Sequence, residues 1–250
     1  MPCFRSPPAQ APNRGGRPPA PRLAWLVLGL GMLLLDHQQA TAAAIAGLDG
    51  AAFFTGGVAA GDFDGDGWTD LVFTRLGDVD LYYRNLGNGT FEARTAAAGF
   101  TTPTLTNGVA SGDVDNDGDL DLYMTGGAGA LQNYFYLNDG TGFFSDQSSV
   151  QTVALANGVA RNGQGISFGD YDADGYLDLA VADWKNEPAT SQSRLFRNLG
   201  AQNPGHFLDV TEAAGIDVYR KEKTWRYSPQ WADLDRDGLL DLAIASDFQT

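Results

Sequence analysis

The sequence is short of cysteine, histidine, positive charge and helical patterning. Its single cysteine, Cys3, excludes an intrachain disulfide framework and any cysteine-based zinc site. Of its two histidines, His37 lies beside an apolar amino-terminal run, and His206 precedes a strand-like Phe207-Leu208 and reads as a turn or edge residue rather than a catalyst. No G-x-S-x-G elbow, no nucleophile–base pair and no phosphate-cradling loop is present. Only 16 Lys and Arg stand against 31 Asp and Glu, a net charge of −15. That balance argues against nucleic-acid binding, which needs a basic surface, and against docking on anionic lipid. Apolar spacing of helical period is nearly absent; only 209–215 reads as a single helical turn. What is there suffices for a core: 43% hydrophobic and 11% aromatic residues, with 32 glycines that imply many tight turns.

Arg5, Arg14, Arg17 and Arg22 precede the apolar run Leu23–Leu35, and the small-residue stretch Ala40-Thr41-Ala42 follows it. This order reads as a secretory signal peptide over 1–42, cleaved after Ala42. The run has 13 residues, short of the roughly 20 needed for a membrane-spanning helix. An uncleaved anchor is the competing reading. Losing the four arginines and Asp36 leaves 12 basic and 30 acidic residues, a net −18, and no cysteine. Such a chain must be stabilised by packing or by metal. It is expected outside the cell or at its surface, or in the periplasm of a Gram-negative host, with no stable membrane span after cleavage.

One pattern, D-x-D-x-D-G-x-x-D-L, occurs four times, at 62–71, 113–122, 170–179 and 233–242. Its flanks repeat too. Gly-rich segments such as 56–61 and 107–112 come before it, and apolar runs such as 70–75 and 178–183 come after it. A second aromatic run follows at 81–85, 133–138 and 193–198, then a Gly turn and a short third run. These read as four short strands per repeat. The fold class expected is all-β: a β-propeller of four-stranded antiparallel blades, with three blades and part of a fourth over 43–250. The repeats fall at about 56–106, 107–162, 163–226 and a truncated 227–250. At this repeat length a seven-blade ring needs roughly twice the chain, so a fragment is expected. The alternative is a strained four-blade ring completed by 43–55.

Carboxylates at positions 1, 3 and 5 of a tight loop converge on one point, and Gly at position 6 allows the reversal. The position-7 carbonyl and the position-9 Asp complete an oxygen cage suited to Ca²⁺. The expected ligands are Asp62, Asp64, Asp66, Trp68 (carbonyl) and Asp70 in loop one. In loop two they are Asp113, Asp115, Asp117, Asp119 (carbonyl) and Asp121. Loop three supplies Asp170, Asp172, Asp174, Tyr176 (carbonyl) and Asp178; loop four supplies Asp233, Asp235, Asp237, Leu239 (carbonyl) and Asp241. Up to four Ca²⁺ follow, one per loop. An EF-hand would need Glu at position 12, where Phe73, Met124, Val181 and Ile244 stand. Mg²⁺ avoids all-protein cages. The bland alternative is four acidic, solvated turns.

On these loops the chain resembles the FG-GAP/VCBS repeat family, which includes the integrin α-chain propeller blades. The FG-GAP hallmark stands in Ile166-Ser167-Phe168-Gly169-Asp170. The segments Leu195-Phe196-Arg197-Asn198 and Phe207–Gly215 are more narrowly similar to the secreted cartilage acidic protein-like group. The resemblance covers roughly 56–250. It implies a propeller with Ca²⁺ on loops between outer-facing blade strands, and an adhesion or ligand-binding role outside the cell.

The remaining residues carry weaker signals. Glu92, Asp146, Glu187 and Glu212 show no paired constellation of the kind a glycosidase needs. Trp184, Trp225 and Trp231 fit either a glycan-binding face or packing between blades. Lys221–Arg226 is the one basic cluster and lengthens the link to loop four. Asn88-Gly89-Thr90 is a glycosylation sequon or simply a hairpin turn. The expected function is a non-enzymatic, calcium-binding adhesion or ligand-binding module with a protein or glycan partner. The alternatives are the repeat part of a larger secreted enzyme, polysaccharide- or phosphodiester-active, with its catalytic region beyond Thr250, and a structural spacer.

Overall fold

The computed structural model describes residues 56–127, 129–150, 152–155, 163–184, 193–216 and 225–247, and the backbone of 24–28 and 31–35. The expected cleavage site at Ala42, the segment 43–55, Glu187 and Lys221–Thr224 lie outside the described residues. The chain divides into two units, Met1–Ala51 and Ala52–Thr250. In the first unit, β1 (Ala24–Leu28) and β2 (Gly31–Leu35) pair antiparallel within the apolar run, Ala24 opposite Leu35. No described helix is long and apolar enough to cross a membrane.

The second unit is an open β-propeller. Blade one contains β3 (Val58–Gly61), β4 (Asp70–Phe73), β6 (Leu81–Asn85) and β7 (Phe91–Ala93), with β5 (Leu76–Asp78) inserted between β4 and β6 in sequence. Blade two contains β8 (Thr104–Gly112), β9 (Asp121–Gly126), β10 (Tyr134–Asn138) and β11 (Phe144–Asp146). Blade three contains β12 (Gly163–Gly169), β13 (Asp178–Asp183), β14 (Arg194–Asn198) and β15 (Phe207–Asp209). The hairpin of β16 (Trp225–Ala232) and β17 (Asp241–Asp247) is the opening half of blade four. Within each blade the strands follow one another in sequence and pair antiparallel. No α-helix occurs among the described residues, and 211–216 forms turns, with Ala214 N–H donating to the Val210 carbonyl at 2.8 Å.

The apolar runs become strands because each second strand is central in its sheet and covered on both faces. Every residue of β4, β9 and β13 is buried. Successive side chains of a strand point to opposite faces, so blade two feeds two cores. Leu122, Met124 and Tyr136 pack toward blade one with Phe63, Val72 and Tyr82. Tyr123 and Phe135 pack toward blade three with Leu179, Phe196 and Phe207. A blade is therefore buried only by its neighbours, as repeat architectures require.

Two features depart from four strands per repeat. The segment after β4, expected as part of a turn, forms β5 and pairs across the blade boundary with β8, Leu76 opposite Leu105. Buried Asp80 anchors this crossing by accepting the Thr104 hydroxyl at 2.9 Å, the Arg75 N–H at 2.8 Å and the Thr106 hydroxyl. Trp225 and Arg226, expected in a loop, instead open β16, and Arg226 is buried.

The first strands of neighbouring blades lie side by side, β8 against β3 and β12, and β12 against β16. They approach so closely that a Cβ on Gly108 would sit 2.3 Å from the Gln164 carbonyl oxygen. One on Gly165 would sit 2.2 Å from the Tyr227 carbonyl oxygen. The Gly-rich flanks before the loops are thus explained by contact between blades.

Candidate metal centres

Each acidic loop joins the first and second strands of its sheet, at the side where neighbouring blades meet, rather than two outer strands. The position-1 Asp organises it. In loop one, Asp62 Oδ1 accepts the Asp66 N–H at 3.1 Å, and its Oδ2 accepts the Gly67 N–H at 2.8 Å. Asp113 and Asp170 repeat both bonds in loops two and three. Asp233 departs from this, taking the Arg236 N–H at 2.7 Å and the Gly238 N–H at 3.2 Å. The position-5 carboxylates of Asp66, Asp117, Asp174 and Asp237 accept the N–H of Trp68, Asp119, Tyr176 and Leu239.

Position 6 is the glycine the pattern predicts, with φ between 87° and 99°. Position 4 is also left-handed: Gly65 at φ 71°, Asn116 at 60°, Ala173 at 57° and Arg236 at 68°. The repeat pattern carries no hint of this, because only two of those four residues favour that region.

Three carboxylate oxygens of each loop come within 4.8 Å of one another. In loops two, three and four they belong to positions 1, 3 and 9: Asp113, Asp115 and Asp121; Asp170, Asp172 and Asp178; Asp233, Asp235 and Asp241. In loop one the trio is Asp62, Asp64 and Asp66. Asp70 Oδ2 there accepts the Tyr82 hydroxyl at 2.8 Å. These trios are oxygen-only donor sets able to hold a hard cation.

Residues 62–124 and 125–181 match the family model described as FG-GAP-like repeat. The chain carries FG-GAP-like repeats. No curated protein matches it. Among solved structures, it is similar to one described as the structural basis of specific recognition of non-reducing terminal N-acetylglucosamine by an Agrocybe aegerita lectin. The identity is 17% and the TM-score 0.40, over 76% of this chain and 43% of that one. The chain thus spans less than half the length of that structure.

Within each FG-GAP-like repeat the position-9 Asp is a structural clasp as well as a ligand candidate. Asp121 Oδ2 accepts the Val114 N–H at 3.1 Å, and its Oδ1 accepts the Asn138 N–H at 3.0 Å. Asp70 and Asp178 do the same with Phe63 and Asn85, and with Tyr171 and Asn198. Burial pushes the Asp121 carboxyl up to about 7, aided by the nearby Asp115 and Asp117 charges, although its two N–H partners oppose the shift. Burial likewise lifts Asp178 to about 6. Asp115 and Asp119 are raised by burial and by the Asp117 charge. Asp115 Oδ1 is buried with no hydrogen-bond partner among the described residues. A carboxylate cluster that resists ionisation and holds an orphaned oxygen fits a cation, whose charge favours the ionised form.

The asparagine ending each third strand was not singled out from the sequence. Asn138 Nδ2 donates to the Phe63 carbonyl of the preceding blade's loop at 2.8 Å and to the Leu120 carbonyl of its own at 3.2 Å. Asn198 repeats this with Val114 at 2.8 Å and Leu177 at 3.1 Å. The signal was the Asn recurring at 85, 138 and 198 after the aromatic run.

The tryptophan candidates split. Trp231 stacks on Tyr171 with centroids 6.0 Å apart and planes 7° apart, and its Nε1 donates to the Ser167 carbonyl at 3.2 Å. Trp184 lies 6.0 Å from Tyr227. Both pack blade three against the fourth. The Trp225 side chain lies outside the described residues. In the Asn88-Gly89-Thr90 turn, Thr90 donates its N–H to Asn88 Oδ1 at 3.0 Å, and Asp139 plays the same part for Thr141. Both read as hairpin turns.

Proposed function

We propose that the chain is a calcium-binding repeat module, secreted or displayed at the cell surface, that acts in adhesion or ligand recognition rather than catalysis. The observation that carries the reading is the fourfold recurrence of a carboxylate trio on one loop design. Calcium is favoured because the donors brought together are all carboxylate oxygens and the loop pattern offers a further position-7 carbonyl, whereas Mg²⁺ keeps several waters. The asparagine contacts also give the cation a structural role, because a loop held open by repulsion would present a displaced carbonyl to the next blade. Binding to the folded state alone stabilises it by linkage. At extracellular affinities on the order of 10⁻⁴–10⁻³ M, millimolar calcium would suffice. The partner is a protein or glycan that needs the blades in fixed register.

The test is thermal unfolding. EDTA is expected to lower the melting temperature of the chain, and millimolar Ca²⁺ to restore it where equal Mg²⁺ does not. An identical melt in all three conditions sinks the metal reading. Protein and glycan arrays probed with and without Ca²⁺ address the partner, and calcium-independent silence on both would favour a spacer.

A further inference from the structure

Loops one and two share a carboxylate pattern but not its surroundings. In blade one the third strand supplies Arg84, whose Nε pairs with Asp64 and whose Nη2 donates to Asp66 Oδ2 at 2.8 Å. Tyr82 of the same strand holds Asp70. Three of the four loop-one carboxylates are therefore engaged by side-chain donors of their own blade. The register of the sheets places Phe135 where blade one has Tyr82, and hence Leu137 where it has Arg84. Neither can donate to a carboxylate. Loop two has no ion pair among the described residues, adds Asp119 at position 7 and contains the orphaned Asp115 oxygen. Blade three is intermediate, with Arg197 Nη1 at 3.5 Å from Asp172 Oδ2.

We propose that Arg84 is a resident counter-cation of loop one, so that a divalent cation binds loop two tightly, loop three less so and loop one weakly. The proposal rests on the cation reading above. A guanidinium fixed on two would-be ligands reduces the negative potential that an arriving cation meets, and its charge-assisted bonds must be shared or displaced. Leucine imposes neither cost. Loop one thus keeps its shape without metal, and loop two requires it.

Calorimetric titration of the full chain with Ca²⁺ tests this, with Asp64→Asn and Asp115→Asn assigning the binding events. Arg84→Leu is expected to tighten the loop-one event by about tenfold and leave loop two unchanged, whereas Leu137→Arg weakens the loop-two event by about tenfold. Trp68 provides a second readout. It is the only tryptophan at position 7 of a loop, and Trp231 lies beside loops three and four, so the part of the indole-sensitised Tb³⁺ luminescence that Trp68→Phe removes reports loop one. If Arg84→Leu fails to fold, Leu137→Arg still reads the effect with opposite sign in another blade. Loops of equal affinity in the wild type, or events unmoved in either variant, overturn the role of Arg84 alone. No Ca²⁺ heat and no Tb³⁺ signal in the wild type overturn the cation reading with it.

Discussion

Asn138 reaches across the boundary between blades one and two to hold the Phe63 carbonyl at 2.8 Å, although 75 residues separate them. The same side chain holds Leu120 of its own loop, and both carbonyls lie beside acidic cages. Asn138→Ala leaves those acceptors without the donor, at roughly 1–3 kcal/mol for each buried group. We expect a lower melting temperature, with Asn198→Ala equivalent. Asn85→Ala should cost less, because among the described residues Asn85 Nδ2 donates only to the exposed Thr69 carbonyl of its own loop and grips no neighbouring blade. Equal effects at all three positions would mean that the grip across the boundary contributes nothing.

Gly108→Ala tests the contact between first strands. Its methyl would lie 2.3 Å from a backbone oxygen that cannot turn aside, so the blades must separate. A loss of about 1–3 kcal/mol, the range of overpacking, is expected in the melt. Gly118→Ala is a useful contrast: it meets nothing within 4 Å and suffers only from its φ of 99°.

Ala173→Gly should stabilise the protein. Ala173 occupies the left-handed region at φ 57°, which costs an L-residue about 1–2 kcal/mol relative to glycine. The greater freedom of glycine in the unfolded chain offsets part of this. A melting temperature raised by a few degrees in Ca²⁺ is the expected outcome, and a fall would show that position 4 is not strained.

Asp80 predicts a pH effect outside the cages. Burial lifts its carboxyl from 3.8 to about 6, against the pull of its hydroxyl and N–H donors. The folded state then holds a proton that the unfolded chain has released. This contribution to stability is complete below about 4 and is lost as pH rises through about 6. The displacement corresponds to on the order of 2–3 kcal/mol. Asp80→Asn keeps an acceptor for Thr106 and Arg75, so it should gain on the wild type between pH 4 and 7. Melts in saturating Ca²⁺ at each pH check this. A constant gap between the two proteins would remove Asp80 as the source.

The loops and the blade strands were legible in the sequence because both are local patterns. Asp spacing within ten residues defines the cage, and β9 and β13 are continuous apolar runs because both their faces are covered. The contacts between blades were not legible. Asn138 stands before Asp139-Gly140 and reads as a turn residue; its amide finds Phe63 only in the assembled sheet. Leu76–Asp78 is too short to show a period, and its partner strand belongs to the next blade. Asp70 and Asp121 were legible as ligand candidates, but their clasp on the third strand depends on a register that sequence does not print. Arg84 carried no signal as a partner of Asp64, since the two stand 20 positions apart.

The asparagine grip points one way along the chain: in both cases among the described residues a later blade secures an earlier loop. As the polypeptide lengthens from its amino terminus, loop one is secured only after Asn138 has been added, 75 residues past Phe63. Loop two waits for Asn198, 84 residues past Val114. Each of these two loops is thus secured one blade behind the growing end, and the order in which they are secured is written into the order of synthesis.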